Sequence, residues 1–233
     1  MIVYRCEDSL ESIFTAIYLA YEEKRNHRDT LFSLTDEPML FAEDVRVVPD
    51  VEKVCKVMNT LRRRFGEDDY YSICLALSSA DEAKAQAVYR TVVWGLHADS
   101  NPGHLFDNLA DDFVNKAFKL ASNASRECQH LKGFVRFEEL ENGALYSAVG
   151  PKNYLLTFLM PHFADRFPME HFLIYDAERD FFGIHPAGRQ WYLLSGEQVS
   201  GELELKRSEQ ELQYRELFRH FCRTITINRL SES

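Results

Sequence analysis

The residues best suited to touch another molecule lie in His130–Leu140, HLKGFVRFEEL, where a helical period gives way to a period of two. Lys132 and Arg136 sit at this changeover, spaced around Gly133 and Phe134. In an extended strand Phe134 and Arg136 share one face, and Val135 and Phe137 share the other. An aromatic ring beside a cation on one sheet face is suited to stacking a base while a phosphate is held. The competing reading is a solvated surface on which Arg136 pairs with Glu138 or Glu139.

A second group comprises His162, His171, His185 and Asp176. Neutral imidazoles with one carboxylate suit zinc or non-haem iron. His162 with Asp176 alone would suit general acid–base work in a hydrolase or lyase, provided the two come within hydrogen-bond reach. His162 follows Pro161, where a kink would expose its ring, and Asp176 ends an apolar strand, where turn residues also sit. The spacing matches no known ligand pattern, so neither a metal nor a cofactor is expected. Arg62-Arg63-Arg64 ends a helix beside Phe65, where cations suit the helix dipole. Arg215, Arg219 and Arg223 recur every four residues as a basic stripe diluted by Glu209, Glu211 and Glu216. Solvated faces are the expected roles of both, with phosphate or an acidic partner as the alternative. The chain contains no GxGxxG, Walker loop, GxSxG, HExxH or HxE…PCxxC pattern.

The elements that must position these groups can be read from capping and periodicity. Ile2–Arg5 is a short strand, edge or central, and Asp8 with Glu11 caps a helix carrying Ile13, Phe14, Ile17 and Tyr21. Residues 26–44 read as a long loop, followed by a short extended piece at Val45–Val48. Pro49-Asp50 opens a helix that Gly66 closes, and residues 70–77 form a third. Ser79 and Glu82 are a capping box for a fourth. Asn101-Pro102-Gly103 is a turn, and a fifth helix runs to Leu131. Asn142-Gly143 marks a hairpin between 134–141 and 144–149. Asn153 starts a helix that Pro161 should end or kink. His171–Asp176, Phe181–His185 and Gln190–Leu194 are strands, with a turn at Ala187-Gly188, and 208–226 is a final helix. Helices followed by a β-β-α-β-β-β unit and a last helix predict an α+β fold. The helical part covers about 1–131, the sheet unit about 132–195 and a helical extension about 196–233. A boundary near Gly133 is one reading, but no linker follows Leu131, which favours one interlocked domain.

The bulk properties narrow the partners. The chain has 233 residues, 45% hydrophobic, with a formal charge of −10 and a pI of about 5.3. An acidic surface opposes non-specific attraction to phosphate backbones, so a nucleic-acid contact requires a local basic patch. The five cysteines are scattered and form no CxxC, which suits reduced thiols and a cytoplasmic location. The first residues lack the pattern of a signal peptide, and no apolar run is long enough for a membrane span.

Several blocks resemble a family labelled DNA metabolism or DNA repair protein. They are Lys132-Gly133-Phe134-Val135-Arg136-Phe137, Pro161-His162-Phe163 with Arg166-Phe167-Pro168, and Ile174-Tyr175-Asp176, together with the opening Met1-Ile2-Val3-Tyr4. Members of that family stand alone beside a radical SAM protein or are fused ahead of a uracil-DNA-glycosylase-like domain. The family commonly has a His-Arg pair where this chain has Gln129 and His130. The resemblance implies a DNA repair or modification context and supplies no reaction. On it, His130 joins Lys132, Phe134 and Arg136 as a candidate nucleic-acid contact.

The leading expectation is a cytoplasmic DNA-metabolism accessory that binds DNA, a radical SAM protein or both. The alternatives are a protein-interaction module without DNA contact, and a hydrolase or lyase using His162 and Asp176. The sequence leaves substrate and oligomeric state open.

Overall fold

The computed structural model describes residues 1–98, 104–140 and 143–196. The final helix expected at 208–226, its arginine stripe, the turn at 101–103 and Asn142 lie outside them. The fold is α+β, and the chain divides into two compact units, Met1–Glu127 and Cys128–Ser233.

In the first unit β1 (Ile2–Arg5) is the central strand of a three-stranded parallel sheet. β2 (Thr30–Ser33) pairs on one side with Val3 opposite Leu31, and β3 (Glu43–Arg46) on the other with Val3 opposite Asp44. The stretch 26–44 is therefore not a plain loop. Four-residue strands carry little local periodicity, and these are ordered by pairing with a distant strand. Buried Arg5 staples the sheet: Nε lies 2.9 Å from Asp44, and its Nη atoms donate to the carbonyls of Thr35 and Glu37.

The helices of this unit begin close to their expected positions, with different caps. α1 (Leu10–Glu22) is capped by Ser9, whose side chain accepts from Ser12 N, rather than by Asp8. Asp8 instead lies 2.5 Å from the buried Lys84 ammonium. α2 (Val51–Leu77) is capped by Asp50 and interrupted at Gly66, whose φ of 86° breaks the helical run between the two expected segments. α3 starts at Lys84 and ends at His97, with no side-chain cap at Ala83. The expected capping box is absent because Ser79 Oγ accepts from Asp81 N and Asp81 from Ala83 N, a turn ahead of the helix. Phe32 and Tyr89 stack at 4.0 Å within the core.

α4 (Asp112–Phe134) starts in the first unit and ends in the second, with Asp111 accepting from the backbone N–H groups of Phe113 and Val114. Its buried face includes Val114, Ala117, Ala121, Ala124 and Cys128. The second unit then runs β4 (Glu138–Glu139), β5 (Leu145–Val149), α5 (Leu156–Arg166), β6 (Phe172–Asp176), β7 (Phe181–His185) and β8 (Tyr192–Ser195). These strands form one sheet in chain order, with β5 and β6 parallel through the α5 crossover and the other pairs antiparallel. Gly143 at φ 79° turns the β4–β5 hairpin, where glycine avoids the steric cost other residues meet. Pro161 does not end α5. The helix continues to Arg166 because buried Leu159, Met160 and Phe163 hold one face down, and Phe167 N still bonds to Phe163 O. Met160 presses so closely on Gly183 in β7 that a Cβ there would lie 2.3 Å from its sulfur.

Candidate functional site

The changeover at Gly133 differs from its expected form in a way that changes the site. α4 passes through Gly133 and ends at Phe134, and Val135 N continues the helical pattern by bonding to Leu131 O at 2.8 Å. Glycine permits a helical exit without requiring one. Phe134 and Arg136 therefore do not share a strand face, since the first strand residue is Glu138. The helical spacing instead places His130 one turn before Phe134. Their rings stack at 4.4 Å with 28° between planes.

This stack is open to solvent. Phe134 is 67% exposed and His130 is also exposed. Arg136 is exposed and Lys132 half-buried, and neither forms an ion pair among the described residues. The competing reading, in which Arg136 pairs with Glu138 or Glu139, is not the arrangement observed. Four cationic or aromatic side chains within seven residues are thus left with capacity for an external partner.

Phe137 holds this segment in place. Its ring makes edge contacts with Phe163 at 5.2 Å, Phe167 at 5.6 Å and Phe172 at 5.7 Å. Rings at such distances and tilts attract one another beyond their burial. The KGFVRF block and the PHF and RFP blocks meet through this one residue, although about 25 positions separate them in sequence. His162 joins the same cluster, edge-on to Phe163 at 5.0 Å, and exposed Arg166 lies over Phe167 at 5.5 Å. Arg166 is a cation of this neighbourhood that sequence reasoning passed over. Its place in the RFP block was the available signal.

Asp176 belongs to different surroundings. It is buried at the end of β6, where Oδ1 accepts from Glu178 N and Oδ2 from Arg179 Nη1 at 3.1 Å. Burial pushes its carboxyl above the ordinary carboxylate value, with Arg179 and the backbone N–H groups opposing the rise. Arg179 also donates to the Pro151 and Lys152 carbonyls and lies 4.1 Å over the Tyr154 ring. Asp176, Arg179 and Tyr154 border an apolar cleft of about 160 Å³ lined also by Leu155, Leu156, Phe181 and Leu193. The cleft is at the first turn of α5, whereas His162 is six residues further along that helix, about 9 Å at 1.5 Å per residue. Asp176 is hydrogen-bonded to Arg179 and Glu178, not to His162.

His171 and His185 are engaged by packing and hydrogen bonds. His185 is buried, stacks on Phe172 at 4.6 Å and has Nδ1 3.0 Å from Glu170 O. His171 Nδ1 accepts from Ala187 N. Among the described residues no three of His, Cys, Asp and Glu gather in a metal-holding group. Arg62 pairs with Glu67 and lies over Tyr70, so part of the Arg62-Arg63-Arg64 run is already engaged. No helix among the described residues is long and apolar enough to cross a membrane.

No curated protein and no solved structure matches the chain. A family model does match residues 82–232, more than half of the chain and including the whole Phe137 neighbourhood. The chain belongs to that family, DUF4130, described as a domain of unknown function.

Proposed function

We propose that the end of α4 and the segment after it form a nucleic-acid contact, and that the protein is a DNA-metabolism accessory. The observation that carries this reading is the solvent-exposed His130–Phe134 stack, flanked by Lys132 and Arg136, which have no ion-pair partner among the described residues. Stacking on aromatic rings tolerates any base, and cations alongside supply phosphate contacts, which together suit single strands. Lys132 and Arg136 supply these cations beside exposed Glu138 and Glu139 on a chain that is acidic as a whole. The resemblance adds the DNA context and a radical SAM protein as a second partner, which co-purification from the source cell tests.

Binding of labelled single- and double-stranded oligonucleotides across a salt series tests the proposal. The wild type binds single strands more tightly, with affinity falling linearly in log–log salt dependence, and Arg136→Ala binds more weakly. A wild type that binds neither form at low salt contradicts it.

A further inference from the structure

A second basic cluster, in the first unit, was not singled out by any motif. It is built from the turn after α1 and one face of α3. Asn26 caps a short turn over His27–Asp29 by accepting from Arg28 N at 3.1 Å. Arg90, Trp94 and His97 lie at i, i+4 and i+7 on α3, so they share a face. The two elements enclose a cleft of about 330 Å³ bordered by Arg25, Arg28, Arg90, His27, His97 and Trp94, with no carboxylate in its lining.

Much of this cleft is fixed in place. Arg90 Nη1 donates to the His27 carbonyl at 2.8 Å, and its guanidinium lies 5.0 Å over Phe113. His27 has Nδ1 2.6 Å from the Tyr89 hydroxyl and meets the rings of Tyr21 and His97 at 4.6 and 5.6 Å. Its neutral form is favoured by burial first, then by His97 and Arg90. His97 Nδ1 lies 2.7 Å from Val93 O, which leaves its other ring nitrogen available. Arg25 is partly neutralised by Glu23 at 2.6 Å, whereas exposed Arg28 has no ion-pair partner among the described residues. Three guanidiniums, with Glu23 on Arg25 and Asp29 on Asn26 as the neighbouring carboxylates, leave the cleft net positive on a chain of charge −10.

We infer that this cleft binds the phosphomonoester group of a nucleotide, with Arg28 and Arg90 on the phosphate and Trp94 against the base. Guanidinium forks match phosphate oxygens better than any other side chain. The half-buried Trp94 ring offers the flat apolar surface a base requires. The volume is at the lower end of the range for small-molecule sites, about 300–1,000 Å³, which suits one nucleotide rather than a dinucleotide cofactor. The same chemistry is presented by a free nucleoside monophosphate and by the phosphorylated 5′ end of a strand.

Isothermal titration of the full chain distinguishes these outcomes. The probes are a deoxynucleoside monophosphate, its unphosphorylated nucleoside, and a short oligonucleotide with and without a 5′ phosphate. A phosphorylated probe should bind at least tenfold more tightly than its unphosphorylated counterpart. Arg28→Ala, at an exposed position, and Arg90→Lys should each remove most of that difference. Preference for the free monophosphate identifies a nucleotide ligand, and preference for the phosphorylated strand identifies an end-binding site. Phe134→Ala leaves the monophosphate affinity unchanged, so this site and the α4 contact fail separately. Equal affinity for phosphorylated and unphosphorylated probes, no binding of any probe, or full retention of binding in both arginine variants overturns the inference.

Discussion

The ends of α4 and β6 use the same pair of residue types to opposite effect. At β6, Arg179 lies over Tyr154, and its N–H groups are taken by Asp176 and two backbone carbonyls. At α4, Phe134 carries a stacked histidine instead, and exposed Arg136 and half-buried Lys132 have no ion-pair partner among the described residues. A cation beside an aromatic ring is therefore not evidence of a binding site by itself. What separates architecture from a contact surface is whether the hydrogen-bonding capacity is already used. By that criterion the Asp176 cleft is a strut that ties the 151–152 backbone to the sheet, and the α4 end is the surface with capacity left.

The largest expected effect comes from breaking the strut. Arg179→Ala leaves the buried Asp176 carboxylate without its cation, and loss of one partner of a buried pair costs about 3–5 kcal/mol. Urea denaturation should show this loss, with single-strand affinity under native conditions unchanged. A fall in affinity without a fall in stability would reverse the assignment of the two regions. Phe134→Ala should do the opposite, costing about 1–3 kcal/mol of single-strand binding per stacked base. Its stability should stay within about 0.5 kcal/mol, as expected at an exposed position. Arg136→Ala should weaken binding less and lower the salt slope for single strands by about 0.7, the loss of one phosphate contact.

The smallest effect is a pH dependence from Asp176. Its folded-state pKa lies above the ordinary value of 3.8, so the folded chain binds this proton more readily than the unfolded chain. The contribution favours folding below 3.8 and is lost as pH rises through the folded value. Asp176→Asn removes it, so the variant's stability relative to wild type should rise from acidic to neutral pH. A difference that is flat across this window, measured by urea midpoints, would show that the carboxylate is not perturbed by burial.

Much of the fold was legible because its signals are local. The 3.6-residue stripes, Asp50, Gly66 and Gly143 each mark an element or its end within a few residues. β2 was hidden, and β3 was read only as an extended piece starting two residues late, because parallel pairing with β1 is a long-range event that leaves little trace in four residues. Gly133 misled for the reason that Gly66 did not: both are helix-breaking in type, but only Gly66 adopts positive φ. Of the site, the residue types at 130–136 were readable, while their geometry depended on one extra turn of helix. The union of the KGFVRF and RFP blocks through Phe137 is a tertiary contact, as is the Arg179 strut that occupies Asp176. Neither has a local pattern. The basic cleft around Trp94 escaped notice because its residues come from two elements more than 60 positions apart.

The most direct test is the fluorescence anisotropy of a labelled single strand titrated with the wild type and with Phe134→Ala/Arg136→Ala over a salt series. The α4 contact predicts salt-sensitive binding by the wild type. It also predicts a loss of at least tenfold in the double variant, whose urea midpoint stays that of the wild type. Indistinguishable titrations for the two proteins, or no binding by the wild type at low salt, would contradict the account.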